Sequence, residues 1–155
     1  MSDIAVRTAT VDDAERLAAV YRSAYARNRE LGFPAKAASA TDATVTEWIR
    51  DDHVLVAVAE GTVVGGVRLD PVDDDAVKLS RLAVHESRKG EGIGAALVDA
   101  AERWSGRHGH GTVRLTTPEE HPFLPEFYRD RGFRKTGDYP LAYRDYDEIV
   151  MEKRL

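Results

Sequence analysis

Along the chain the period of apolar and polar positions changes several times, and each change predicts an element. Ile4-Ala-Val-Arg-Thr8 alternates as a strand does. Thr10-x-x-Asp13 forms a capping box leading into a helix whose apolar stripe is Ala14, Leu17, Ala18, Tyr21 and Tyr25. The two tyrosines read as core packing in preference to substrate contact. Leu31-Gly-Phe-Pro34 ends that helix, and the small, polar residues 36–44 form a loop, either a lid or a plain connector. Thr44-x-x-Glu47 predicts the start of a short helix burying Val45, Trp48 and Ile49. Residues 54–59 and 62–69 are strand-like runs flanking Glu60-Gly61, hence a β-hairpin, and Gly65-Gly66 inside the second run predicts a bulge or a close backbone approach. Asp70-Pro-Val-Asp-Asp-Asp75 reads as a solvated turn, or else as a cation-attracting rim. In residues 77–84 the large apolar side chains move from odd positions (Val77, Leu79) to even ones (Leu82, Val84). Such a phase switch predicts a bulge near Ser80-Arg81, or a strand buried on both faces. Thr112–Thr116 is a further strand. Pro122 and Pro125 frame the start of a helix that presents Leu124, Phe127, Tyr128 and Arg131 on one face and ends at Gly132. No internal repeat or linker interrupts residues 1–155, so one domain is expected.

The stretch with the strongest chemical content is Leu79 to Glu102, read as strand, glycine-rich turn and helix. Gly90, Gly92 and Gly94 leave the backbone free to adopt positive φ and to approach a ligand closely. Ile93, Ala96, Leu97, Ala100 and Trp104 then recur at helical spacing, which sets the glycines at a helix N-terminus, a place suited to an anion. Arg88 and Lys89 add two cations there. A nucleotide P-loop is excluded, because Ala95-Ala96 stand where Lys and Ser/Thr are required. Gly90-Glu-Gly92-Ile-Gly94-Ala95 satisfies the dinucleotide fingerprint, but that fingerprint normally opens its domain and needs an acidic residue ~20 positions on; Glu119 and Glu120 lie too far along. An acyl-CoA pyrophosphate loop is the third reading.

Lys89-Gly-Glu-Gly-Ile-Gly94 resembles the central Arg/Gln-x-x-Gly-x-Gly/Ala motif of the GNAT superfamily of acetyl-CoA-dependent N-acetyltransferases, with Lys at the first position. Phe127-Tyr-Arg-Asp-Arg-Gly-Phe133 resembles the family's late helix, and Ile149–Leu155 its last strand. The resemblance implies an α/β (α+β) fold: a mixed, mostly antiparallel central sheet of about seven strands flanked by about four helices. It implies acetyl-CoA as cosubstrate and an amine as acceptor. It implies too that Arg88, Lys89, Gly90, Glu91, Gly92, Ile93, Gly94 and Ala95 hold the pyrophosphate, and that the backbone of Leu82, Ala83 and Val84 guides the pantetheine arm and thioester. Tyr128 would be the acid that protonates the departing sulfur. His121 stands where relatives often place an Asn that touches the cofactor. Many relatives carry a Glu as general base on the strand before the glycine loop; here that strand offers Ser80 and Arg81. The candidates are therefore a water relay to Asp70, Asp73, Asp74, Asp75 or Glu119, or direct use of His85 or His121.

Composition narrows the partners. The net charge of −5 argues against nucleic acid or an anionic membrane and favours a cationic small molecule as acceptor. There is no cysteine, which excludes disulfides, thiolate metal sites and a Cys acyl-enzyme. His108 and His110 lack a third ligand at usable spacing, so no metal is expected. The N-terminal residues show no secretory pattern and no apolar run reaches ~18 residues, an expectation of a cytoplasmic protein, with a homodimer possible. A non-catalytic acyl-CoA sensor on the same fold is the rival function class; the presence of Tyr128 favours the enzyme.

Overall fold

The structure is a computed structural model that describes residues 4–32, 40–140 and 146–155. Its most local instruction is Glu60-Gly61. Both residues adopt positive φ, 53° and 77°, the pair of left-handed conformations that a two-residue hairpin turn needs to match strand twist. They fold β2 (His53–Ala59) onto β3 (Thr62–Pro71). Strand β1 (Ile4–Thr8) joins β2 on one side and β4 (Ala76–Val84) joins β3 on the other, all antiparallel. Two helices lie between β1 and β2, α1 (Ala14–Glu30) and α2 (Asp42–Asp51). After β4, α3 (Ile93–Arg107) carries the chain back, so β5 (Thr112–Pro118) runs parallel to β4. A short α4 (Leu124–Asp130) leads to β6 (Arg134–Tyr139), and β7 (Glu148–Arg154) inserts between β5 and β6, antiparallel to both. The resulting seven-stranded sheet has the order β1-β2-β3-β4-β5-β7-β6, a mixed and mostly antiparallel sheet with four α-helices among the described residues, as the sequence led one to expect.

Strand alternation sorts the sheet residues onto two faces. One face packs Leu55, Ala57, Val67, Leu69, Val77, Leu79, Val113, Leu115, Ile149 and Met151 with Ile93, Leu97, Val98 and Ala101 of α3 and Tyr128 of α4. The other packs Val54, Val56, Val63 and Ala83 with Leu17, Ala18, Val20, Tyr21 and Ala24 of α1 and Val45 of α2. Gly65 and Gly66 permit both packings at once. A Cβ on Gly65 would stand 2.9 Å from the Ala83 carbonyl oxygen and 3.0 Å from Ile93 Cγ2, and one on Gly66 would stand 2.6 Å from Leu17 Cδ1. The sequence left a bulge or a close approach open at this pair. Both are present, since the β2–β3 register also shifts between Ala57 and Val58.

Three local expectations need correction. Helix α2 starts at Asp42, not Thr44: Thr41 is its cap and accepts the Thr44 N–H at 3.2 Å, so Thr44 is the capped residue and not the cap. Gly94 does not take positive φ; it is a helical residue, and a Cβ there would meet Phe127 Cζ at 3.4 Å, so this glycine serves packing. Tyr25 is only half-buried, and its phenol donates to the Leu82 carbonyl at 3.1 Å, which places it at the functional cavity as well as in the packing of α1. Of the loop or lid expected at 36–44, residues 36–39 lie outside the described residues and residues 42–44 belong to α2.

Candidate active site

Strands β4 and β5 pair only from Ala76↔Thr112 to Lys78↔Arg114. Beyond that β4 stays with β3 and β5 with β7, so the sheet splits. The cause on the β4 side is the bulge foreseen in the sequence. Between the pairs Gly66↔Ala83 and Arg68↔Ser80, β3 has one residue and β4 has two, Arg81 and Leu82; Arg81 sits at φ 54°. The split opens into a cavity of about 830 Å³ lined from β4 by Leu79 to Val84 and from β5 by Thr116, Thr117 and Pro118. The Leu82 carbonyl is already engaged by Tyr25, so the bulge offers incoming polar atoms chiefly its N–H groups.

The glycine loop forms one end of this cavity, with Arg88, Lys89, Gly90, Gly92, Ile93, Gly94 and Ala95 among its walls. Gly90 and Gly92 hold φ of 82° and 80°, and a Cβ on either would meet nothing within 4 Å, so these two are glycines for conformation and access. The first helical bond of α3 is Ala96 N–H to the Gly92 carbonyl, which leaves the N–H groups of Ile93, Gly94 and Ala95 for an anion. Arg88 Nη2 is buried without a hydrogen-bond acceptor among the described residues. A pyrophosphate fits these donors. Glu91 is not among the lining residues; its carboxylate lies 3.3 Å from Arg88 Nε and steadies that side chain.

Tyr128 also lines the cavity, although only 5% exposed. Its ring is held by Phe127 and Phe133, with centroids at 5.2 and 5.7 Å, and the Phe133 N–H closes the helix end on the Tyr128 carbonyl. Burial, helped by the neighbouring Tyr25, raises its pKa well above the ordinary tyrosine value. Tyr25 is pushed up to about 12, also by burial first. Both phenols therefore keep their protons at neutral pH.

His121 lines the cavity as well, but both its ring nitrogens are engaged. Nδ1 accepts the N–H groups of Phe123 and Leu124 at 3.1 and 3.2 Å, capping α4, so Nε2 carries the proton and donates to Asn28 Oδ1 at 3.0 Å. Burial, then the Lys89 charge, lowers its pKa. Other candidate bases are similarly committed. His85 accepts the Ser87 N–H and does not line the cavity. Glu119 pairs with Lys135 at 2.9 Å. Asp73 accepts the N–H groups of Asp75 and Ala76, which hold its carboxyl below the usual range, and Asp75 accepts from Gly111 and Thr112. The acidic turn is thus largely a structural device, and only Asp70 of it reaches the cavity wall.

Sequence reasoning missed several lining residues, among them Asn28, Tyr139, Tyr146 and Glu148. Glu148 could have been found. The register Pro118↔Glu148 and Thr116↔Val150 puts it on the face opposite buried Ile149 and Met151, beside the split. Glu148 lines the same cavity as Tyr25, whose pKa its charge helps to raise.

Comparison with known proteins agrees with this geometry. The rat N-acetyltransferase family 8 member 2 is 32% identical over 114 residues, covering 69% of this chain and 50% of that one, so this chain spans only half the length of that relative. The Bacillus subtilis S-(2-succino)cysteine N-acetyltransferase is 27% identical over an alignment of 157 positions, covering 96% and 94% of the two chains. A solved structure of PaiA N-acetyltransferase from Thermoplasma acidophilum in complex with coenzyme A superposes with a TM-score of 0.79 at 22% identity, covering 99% of each chain. The family model described as acetyltransferase (GNAT) family matches residues 17–133, a span that runs from α1 through the split sheet and the glycine loop to the end of α4. This chain belongs to the acetyltransferase (GNAT) family.

Proposed function

We propose that the chain moves an acetyl group from acetyl-CoA directly to an amine. The carrying observation is that one cavity joins the N-terminus of α3 with its two cations, the β4 bulge, and a buried, protonated phenol. Arg88, Lys89 and the N–H groups of residues 90–95 take the pyrophosphate; Leu82, Ala83 and Val84 guide the pantetheine arm; His121 forms wall beside the cofactor rather than a base. The amine lone pair attacks the thioester carbon, a C–N bond forms, and the oxyanion is held by a bulge N–H. Collapse breaks the C–S bond. Tyr128 gives its proton to the sulfur, and the ammonium proton leaves through Glu148, directly or through water. A buried acid whose phenol reaches the cavity supports an enzyme over a binding module that merely senses acyl-CoA.

The expected preference for a cationic acceptor draws on total charge and on residues 70–75. Of those residues only Asp70 lines the cavity, joined there by Glu148 and faced by Lys78 and Arg81. A small amine is the acceptor we assign, a choice supported by the small-molecule amine in the Bacillus relative's name. Calorimetry with CoA and NAD tests the cofactor half of this reading. Tight binding of CoA and weak binding of NAD is expected, and the reverse order would revive the dinucleotide interpretation.

A further inference from the structure

The α1/α2 face of the sheet is apolar under the body of the helices, then turns polar toward the split. Arg68 and Asp70 of β3 stand opposite Ser80 and Lys78 of β4 on this face, and Glu148 enters it from β7. Two arginines here are matched by carboxylates. Arg68 donates to Asp52 at 2.6 Å, Arg114 to Glu152 at 2.7 Å, and Asp70 is the register partner of Lys78. Arg81 differs: it lines the cavity, and among the described residues no carboxylate forms an ion pair with it. Its guanidinium instead lies 5.3 Å from the centre of the Trp48 ring, and Trp48 is fixed edge-on against buried Tyr21 at 5.3 Å. Its backbone is held in the left-handed region, a conformation disfavoured for any residue with a Cβ. Bulge and indole together give this cation one fixed place, immediately before the Leu82 segment assigned to the thioester.

A planar guanidinium braced on an aromatic ring at a cavity wall is preorganised for a carboxylate, which it can grip through two parallel hydrogen bonds. The pyrophosphate is already provided for by Arg88, Lys89 and the α3 N-terminus at the other end. An anion held by Arg81 would therefore belong to the acceptor, beside the Leu82 segment. We propose that the acceptor is an amine bearing a carboxylate on a neighbouring carbon, an amino acid and not a polyamine, and that Arg81 holds this carboxylate while Glu148 faces the amine. The inference rests on the acetyltransferase reading and deepens it.

The test is a panel of the common L-amino acids, their carboxamides and the corresponding decarboxylated amines, assayed for acetyl transfer by wild-type enzyme, R81K and R81Q. The acid should exceed its amide and amine in kcat/KM by about 10- to 100-fold, the worth of a hydrogen-bonded charge. R81Q should erase that ratio through KM, R81K should restore part of it, and calorimetric CoA affinity should stay at the wild-type value. Equal rates for acids, amides and amines in the wild type, or an equal loss on all three in R81Q, would overturn this inference alone. Normal CoA binding with no transfer to any compound would overturn the acetyltransferase reading and this inference with it.

Discussion

At the residue scale, the proposed mechanism divides the proton traffic between Tyr128 and Glu148, and each role predicts a different pH limb. Tyr128→Phe keeps the ring against Phe127 and Phe133 but removes the proton. Its kcat should fall by about 10²- to 10⁴-fold with little change in KM for acetyl-CoA. A general acid works only while protonated. Because burial raises the Tyr128 pKa, the wild-type rate should show no alkaline decline through pH 10, where an ordinary tyrosine ionises; a decline already complete by pH 9 would count against the assignment. Glu148→Gln should lower kcat/KM near neutrality, and the deficit should shrink as rising pH supplies neutral amine without a base. A deficit constant across pH would make Glu148 a positioning residue.

At the element scale, the two glycine pairs separate packing from ligand binding. Gly65→Ala drives a methyl group into the Ala83 carbonyl, Ile93 and Leu97, backbone on one side and core on the other, so it should cost about 1–3 kcal/mol of stability in denaturant unfolding. Gly92→Asp meets open space, and Asp tolerates positive φ better than most residues, so folding should survive while calorimetric affinity for CoA collapses. Unchanged affinity in a folded Gly92→Asp protein would remove the anion site. Elements whose instructions are local were legible in the sequence: the Glu60-Gly61 hairpin, the β4 bulge betrayed by its change of phase, the glycine turn, and α4 closing at Gly132. Strand β6 was not. It is an edge strand with five of six residues exposed, so no buried face imprints an alternation on Arg134–Tyr139. The proposed acceptor side was equally opaque, because Arg81 reaches Trp48 only through the packing of β4 against α2, Glu148 joins the cavity wall from β7, and no local pattern encodes either placement.

At the scale of the whole molecule, two histidines tie folding to pH. Burial is the largest cause lowering the pKa of both His53, whose ring stacks on Trp104 at 4.5 Å, and His121, which caps α4. The unfolded chain, near the ordinary value of about 6.5, then binds protons that the folded chain refuses. Their contribution to stability is complete above that value and is lost as pH falls through the lower folded pKa. Melting temperature should therefore drop between about pH 7 and pH 5, and the drop should be shallower when His53 and His121 are both replaced by Gln; equal slopes would assign the effect to other groups. The whole account rests on the cavity being a place where an acetyl group changes hands. The most direct measurement incubates the protein with acetyl-CoA and the amine panel, following free CoA thiol and acetylated amine together by mass spectrometry. One equivalent of N-acetyl product for each CoA released, abolished in Gly92→Asp and slowed in Tyr128→Phe, is the predicted result. CoA that binds in the cleft while no amine in the panel is acetylated would contradict it.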